Sequence, residues 1–238
     1  MSNAVILHIL CEGPTEQGFA DTVLKPYLME QGITAVKSVS VMTNKKLSIT
    51  GGLRSYTQVK QDLDILIHSH PDQGYERHLF TTMFDLYALP PDFPEYGTCK
   101  KIHDKYSQVE SLEKAFGTAV GSERFIPYIQ LHEFEALIFC GIDFLLDLYP
   151  RSDKQCHALK TILSNVRSPE LINDKPETAP SKRIIKEIEE KGNYSYNKPK
   201  TGKYVTEKVG IDNLRAKCPH FDKWIARILS AAGVFKLE

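Results

Sequence analysis

The sequence predicts an α/β protein: a mostly parallel sheet flanked by helices over residues 1–150, then a helical, basic extension over 151–238 packed on that core. Three observations carry this. Short apolar runs at 4–11, 33–42, 79–84 and 125–131 alternate with stretches of helical periodicity, the pattern that builds parallel sheets through helical crossovers. Beyond about residue 150, strand-like runs give way to helical spacing. The runs ending at residues 11, 84 and 131 lead directly into polar or acidic residues where the chain turns.

Taken in order, the run from Ala4 to Cys11 ends on Glu12, and Gly13-Pro14 turns it at once into a helix. Gly13 suits the N-cap, Pro14 suits the first helical position, and Glu16 can reach back to a free backbone N–H or serve as a ligand. Phe19, Val23 and Leu24 mark a helix over 14–31, which Pro26 kinks or interrupts and Gly32 closes. A strand follows at 33–42. The stretch from Thr43 to Gly52, with Lys45, Lys46 and Gly51, reads as a polar loop. It feeds a helix whose face is Tyr56, Val59, Leu63, Leu66 and Ile67. Free N–H groups at that helix start, with Arg54 in the first turn, could receive an anion.

Leu79 to Phe84 is the next strand, and Asp85 ends it. Pro90, Pro91 and Pro94 stiffen a surface loop before a helix over 103–117 with Val109, Leu112 and Phe116 inward. The strand from Phe125 to Leu131 runs into His132-Glu133-Phe134-Glu135, where Phe134, Leu137 and Ile138 begin a helical face. In the extension, helices are predicted at 159–166, 181–191 and 221–232, with 192–202 a polar, mobile connector.

Composition narrows the classes of function. The chain has 238 residues, 42% of them apolar and 25% charged, enough for a substantial core without staples. No apolar run approaches the ~18 residues of a membrane span. Five widely spaced cysteines without a Cys-x-x-Cys pair point to reduced thiols and a cytoplasmic setting. The first apolar run lacks a basic leader and a cleavage site, and reads as a strand instead of a secretory signal. The net charge of zero hides an asymmetry: residues 1–174 carry 16 Lys/Arg against 22 Asp/Glu, and 175–238 carry 14 against 8. An acidic body beside a basic segment suits a nucleic-acid or nucleotide partner.

Parallel strands bring their C-terminal tips to one edge, so Glu12, Asp85 and one of Glu133 or Glu135 are expected to converge there. Oxygen ligands of this kind suit Mg²⁺ or Mn²⁺. Glu133 and Glu135 differ by roughly 200° around a helix, so at most one faces the ion. His132 at the strand tip is a further ligand or proton shuttle, or else a helix cap or hydrogen-bonded core residue.

The segment Glu12-Gly13-Pro14-Thr15-Glu16, with Asp85 after an apolar strand, resembles the Toprim domain shared by topoisomerases, primases and the overcoming-lysogenization-defect nucleases. Thr81 to Pro90, Leu131 to Leu137 and Pro176 to Arg183 are similar to a Toprim-like family of unknown function, and the resemblance covers nearly the whole chain. It implies a Toprim-like Rossmannoid core and a bacterial or archaeal protein. It also implies a gene often beside an ABC- or AAA-type ATPase, in a mobile-element or phage-defence setting. By resemblance Glu12 is the first-motif acid, Glu16 a second metal acid, and Asp85 the first aspartate of Asp-x-Asp. Tyr87 stands where the second aspartate belongs, leaving one metal position short unless Glu133 or Glu135 fills it.

The function so implied is Mg²⁺- or Mn²⁺-dependent hydrolysis of phosphodiester bonds in DNA or RNA. Glu12, Asp85 and Lys182 carry the chemistry. Glu16, His132, Glu133 and Glu135 are further candidate ligands, and Arg54, Lys182 and Arg183 meet phosphates; Lys182 could equally be a solvated first-turn lysine. The competing reading, favoured by Tyr87, is a non-catalytic partner subunit of an ATPase that binds nucleic acid or nucleotide. A nucleotidyl transferase using the same acids is a third.

Overall fold

Side-chain alternation along β1 (Ala4–Cys11) sets the plane of the molecule. Val5, Leu7, Ile9 and Cys11 face one layer of helices, and His8 and Leu10 face the other. The computed structural model describes residues 4–44, 49–50, 52–173 and 176–234. β1 turns through Glu12 and Gly13 into α1 (Pro14–Phe19), a π-helical segment (Ala20–Leu24) and α2 (Lys25–Glu30). Pro26 has no N–H to offer the preceding turn, and the helix widens ahead of it instead of breaking. Gly32, at φ 107°, reverses the chain into β2 (Ala35–Ser40).

The polar stretch that follows contains a short antiparallel pair, β3 (Met42–Asn44) and β4 (Ile49–Thr50). Lys45, Lys46 and Gly51 lie outside the described residues. Then come α3 (Tyr56–His68), β5 (Glu76–Asp85), α4 (Tyr96–Cys99), α5 (Lys105–Val120), β6 (Phe125–Ile126) and β7 (Ile129–Gln130).

The main sheet has five strands in the order β2-β1-β5-β6, with β7 also paired to β5, and every pairing is parallel. The apolar run 125–131 forms two short ladders because Pro127 cannot donate to β5. Two threonines bridge the gap. Thr81 Oγ1 donates to the Ile126 carbonyl at 2.6 Å, and Thr82 Oγ1 donates to the Tyr128 carbonyl at 2.8 Å. Register places Cys11 opposite Met83 and Asp85 opposite Gln130, so three strands end at one edge.

Beyond the sheet the chain is helical: α6 (Glu135–Ile138), α7 (Leu145–Leu148), α8 (Asp153–Ser164), and α9 (Pro180–Ile185) continuing through a π-helical segment (Lys186–Lys191). The chain ends in α10 (Lys198–Val209), α11 (Ile211–Lys217) and α12 (Pro219–Ala232). The span 192–202 is therefore not a connector throughout. Its second part opens α10, where Asn197 Oδ1 accepts the Lys200 N–H at 2.9 Å and Pro199 occupies the first turn.

These helices share one buried cluster with β1 and α1, including Phe19, Val205, Phe221 and Trp224. Trp224 stacks on Tyr128 at 4.0 Å and donates its indole N–H to Thr81 Oγ1 at 2.8 Å, locking α12 to the sheet. Among the described residues no helix is long and apolar enough to cross a membrane.

Candidate functional site

Glu12 and Asp85 come together because β1 and β5 are neighbouring parallel strands that stop at the same level. The Glu12 N–H continues the ladder to the Met83 carbonyl at 3.0 Å. Its carboxylate turns across, and Oε2 accepts the Asp85 N–H at 3.0 Å. Asp85 Oδ1 in turn accepts the Phe134 N–H at 2.9 Å. That bond ties the tip of β5 to the turn after β7. His132 makes the turn possible by adopting a left-handed backbone at φ 64°, uncommon for a side chain of its size.

Two further acids and a lysine complete the cluster. Glu16 lies on α1 one turn beyond Gly13 and is buried. Glu135 opens α6 and is fully enclosed. Lys198, the first residue of α10, places its ammonium 3.1 Å from Glu135 Oε2 and 3.9 Å from Asp85 Oδ2. Gly202, one turn along α10 on the same face, allows this approach. A Cβ there would lie 2.6 Å from the Phe134 ring and 3.4 Å from Thr15, so only glycine lets α10 sit down on α1 and the Phe134 turn.

Burial dominates the electrostatics. It raises Glu12 to about 7; the Asp85 N–H pulls the other way, and the charge of Glu16 adds to the rise. Burial likewise raises Glu135 to about 7 despite Lys198. Asp85 is pushed well above the carboxylate range by burial and then by Glu12 and Glu16. Glu16 is raised by burial, with Lys198 opposing. Lys198 shows the complement: burial lowers its proton affinity, but Asp85, Glu135 and Glu16 together more than reverse this. Four acids thus share one ammonium, and the cluster is short of positive charge.

The donor set is all hard oxygen, which fits Mg²⁺ or Mn²⁺. Glu135 Oε1 and the Tyr196 hydroxyl are enclosed without a hydrogen-bond partner among the described residues, whereas Glu135 Oε2 has the Lys198 ammonium at 3.1 Å. Each such atom costs about 1–3 kcal/mol if left unsatisfied, so their grouping fits a place for an ion and its waters. Among the described residues, however, no three His, Cys, Asp or Glu side chains are drawn together tightly enough to hold an ion.

The remaining candidates take other places. Glu133 does not join the cluster; its Oε2 accepts the Ser181 N–H at 2.9 Å and so covers the N-terminus of α9. His132 packs its ring 5.6 Å from Tyr87, and its Nδ1 lies 3.4 Å from Asn173 Nδ2. Lys182 is exposed on α9, and its ammonium pairs with none of the cluster's carboxylates. Arg183 donates Nε–H to the Thr178 carbonyl at 2.7 Å. Arg54 lies before the Ser55 cap, outside α3. The anion at that helix start comes from the chain itself: Tyr56 N–H donates to Asp92 Oδ1 at 3.0 Å.

The family described as "Domain of unknown function (DUF4276)" matches residues 11–229, from the tip of β1 to the end of α12. The chain belongs to this family. Among solved structures, it is similar to the C-terminal region of the Burkholderia pseudomallei OLD protein. Identity there is 17%, with 95% of this chain and 98% of that chain covered and a TM-score of 0.46. It is also similar to the C-terminal region of the Xanthomonas campestris pv. campestris OLD protein, at 15% identity, 94% and 96% coverage and a TM-score of 0.39. A comparison with curated proteins finds no match.

In this DUF4276 chain the residue that sequence reasoning missed is Lys198. A local signal for its helix was present: Asn197 as a cap, Pro199 in the first turn, then Gly202, Val205 and Val209 at helical spacing. Nothing local pointed the helix start at an acidic cluster 63 residues earlier in the chain, at Glu135.

Proposed function

We propose that this DUF4276 protein hydrolyses phosphodiester bonds in nucleic acid with the help of Mg²⁺ or Mn²⁺ held at the C-terminal edge of its sheet. One observation carries the reading: Glu16, Asp85 and Glu135, all buried, and the half-buried Glu12, from three segments distant in sequence, gather around a single ammonium. Concentrating carboxylates in a buried place is costly and has no role in folding a sheet edge, which supports a functional reading. The Toprim resemblance of the segments around Glu12 and Asp85 agrees with it.

Glu12, Asp85 and Glu135 are the residues that would hold the cation, with Glu16 beside them. A bound divalent ion neutralises phosphate oxygens and makes water a better nucleophile near neutral pH. Lys198 stands at the same place as a positive group for a substrate phosphate, a role assigned above to Lys182 from the sequence. Because burial keeps Glu12 and Glu135 protonated up to about pH 7 in the absence of an ion, both would have to give up their protons to hold one, so loading is favoured above neutral pH. Loading the ion requires the Lys198 ammonium to yield and the side chains to close in. An ATPase partner and a phage-defence or mobile-element setting belong to the same reading, on the resemblance alone.

The test has two parts. Mn²⁺ should raise the melting temperature of the wild-type chain at pH 8 and not at pH 5, where protons compete for the carboxylates. Mn²⁺-dependent cutting of plasmid or single strands should vanish in Glu12→Gln and Asp85→Asn. Undiminished cutting by both variants rejects the site.

The second reading is a non-catalytic subunit that uses the cluster for recognition. The observation in its favour is Lys198 itself, a tethered cation already 3.1 Å from Glu135. Absence of Mn²⁺ binding at millimolar concentration selects it.

A further inference from the structure

Beside the acidic cluster lies a cleft of about 230 Å³ whose chemistry differs from it. Tyr87 lines it, two residues beyond Asp85, and is 42% exposed. Its backbone N–H donates to the His132 carbonyl at 3.2 Å and the His132 ring lies 5.6 Å from its own, so the aromatic surface is continuous with the turn that supports Asp85. Tyr96 also lines it, with the Lys100 ammonium 5.6 Å from its ring centre. Lys105 is the second cation, 3.2 Å from Gln108 Oε1. Neither ammonium meets a carboxylate within 4 Å among the described residues, unlike Lys60, Lys191 or Lys223.

Two lysines that meet no carboxylate among the described residues and two tyrosines are the elements of a single-strand platform: cations follow the backbone, and rings accept bases that are not paired. The volume is below the ~300–1,000 Å³ of clefts that take drug-sized ligands, and suits one base with part of its sugar. A paired base cannot enter, because its faces are covered by its neighbours in the stack. We propose that this cleft binds single-stranded nucleic acid, stacking an unpaired base on Tyr87 while Lys100 and Lys105 hold the phosphates next to the one at the acidic cluster. The inference rests on the proposed phosphodiester site and names its substrate class. It also gives Tyr87 a role: the residue in place of a second aspartate holds the base where an acid would have held an ion.

The experiment measures binding apart from cutting. A fluorescein-labelled single-stranded DNA of about 16 nucleotides and the matching blunt duplex are titrated with the full chain in EDTA. Single strand should bind more tightly than duplex. Tyr87→Ala should weaken single-strand binding roughly 5- to 100-fold, the cost of losing one stacked base, while Tyr87→Phe keeps it. Lys100→Ala and Lys105→Ala should each reduce the slope of log K against log salt by about 0.7. Because Tyr87 is exposed, the variants should melt as the wild type does.

Equal affinity for duplex and single strand overturns the proposal, as does unchanged binding by Tyr87→Ala. If Mn²⁺-dependent cutting is intact while Tyr87→Ala binds normally, the cleft assignment alone fails. If single-strand binding depends on Tyr87 but no Mn²⁺-dependent cutting occurs, the hydrolase reading alone fails.

Discussion

The Lys198 ammonium lies 3.1 Å from Glu135 Oε2, and this contact joins the start of α10 to the start of α6 across the end of the sheet. Lys198 compensates buried carboxylates, so its value depends on their ionisation. Lys198→Met should cost about 1–3 kcal/mol at pH 8, below the 3–5 kcal/mol of a fully buried pair because the lysine side chain is 37% exposed. At pH 5, with Glu12 and Glu135 protonated, the loss should be smaller. Urea unfolding at the two pH values measures the difference, and an equal loss at both contradicts the assignment.

Glu12 and Glu135 have folded-state values of about 7 against an ordinary 4.5. The folded protein therefore binds more protons than the unfolded chain between these values. Their contribution is complete below about pH 4.5 and is lost as pH rises through about 7. Without divalent cation the protein should lose stability from pH 5 to pH 8, and Glu12→Gln should flatten that decline. Calorimetric melting across this window reads it directly.

His8, in a cluster with His70 and His78 on β1 and its neighbours, acts in the opposite sense. His8 Nε2 lies 3.0 Å from His78 Nδ1, and the His8 and His70 ring centres are 4.2 Å apart. Burial, then the neighbouring His70 and His78, lowers His8 to about 3 from 6.5. A depressed histidine contributes stability that is present above about pH 6.5 and lost as pH falls through about 3. Below pH 4.5 the site carboxylates no longer offset it. Acid unfolding should therefore steepen there, and His8→Phe, whose ring can keep the stacking on Phe80, should make that limb shallower. A steeper limb in the variant would count against the histidine origin.

Gly202→Ala places a methyl group 2.6 Å from the Phe134 ring, which must move or push α10 away. Overpacking of this kind costs about 1–3 kcal/mol. The same displacement withdraws Lys198, one turn away, from Glu135. The variant should melt lower and also lose the pH-dependent effect of Lys198→Met when the two changes are combined. Additive losses at pH 8 would show that Gly202 only packs.

Much of this was legible along the chain. Apolar runs of strand length, each closed by a turn, located β1, β2 and β5, because hydrophobic alternation is a local property. Glu12 and Asp85 stood out because an acid at a strand's end is not needed to end the strand. The choice between Glu133 and Glu135 was not legible. Periodicity separates the two by about 200° but does not say which side faces the sheet edge. Packing of α6 enclosed Glu135 and left Glu133 to cover the start of α9. Similarly, Pro127 gave warning of a broken strand, while the threonine hydroxyls that repair it depend on pairing with β5.

The sequence by itself determined the α/β alternation and the acids at the strand tips, since both follow from neighbouring residues and backbone geometry. Only the tertiary structure decided that a lysine from α10 stands among those acids and that an aromatic, cationic cleft opens beside them. Those placements depend on a glycine facing a phenylalanine and on helices meeting over a shared apolar core. Such contacts have no period in the chain and become visible only when the layers close.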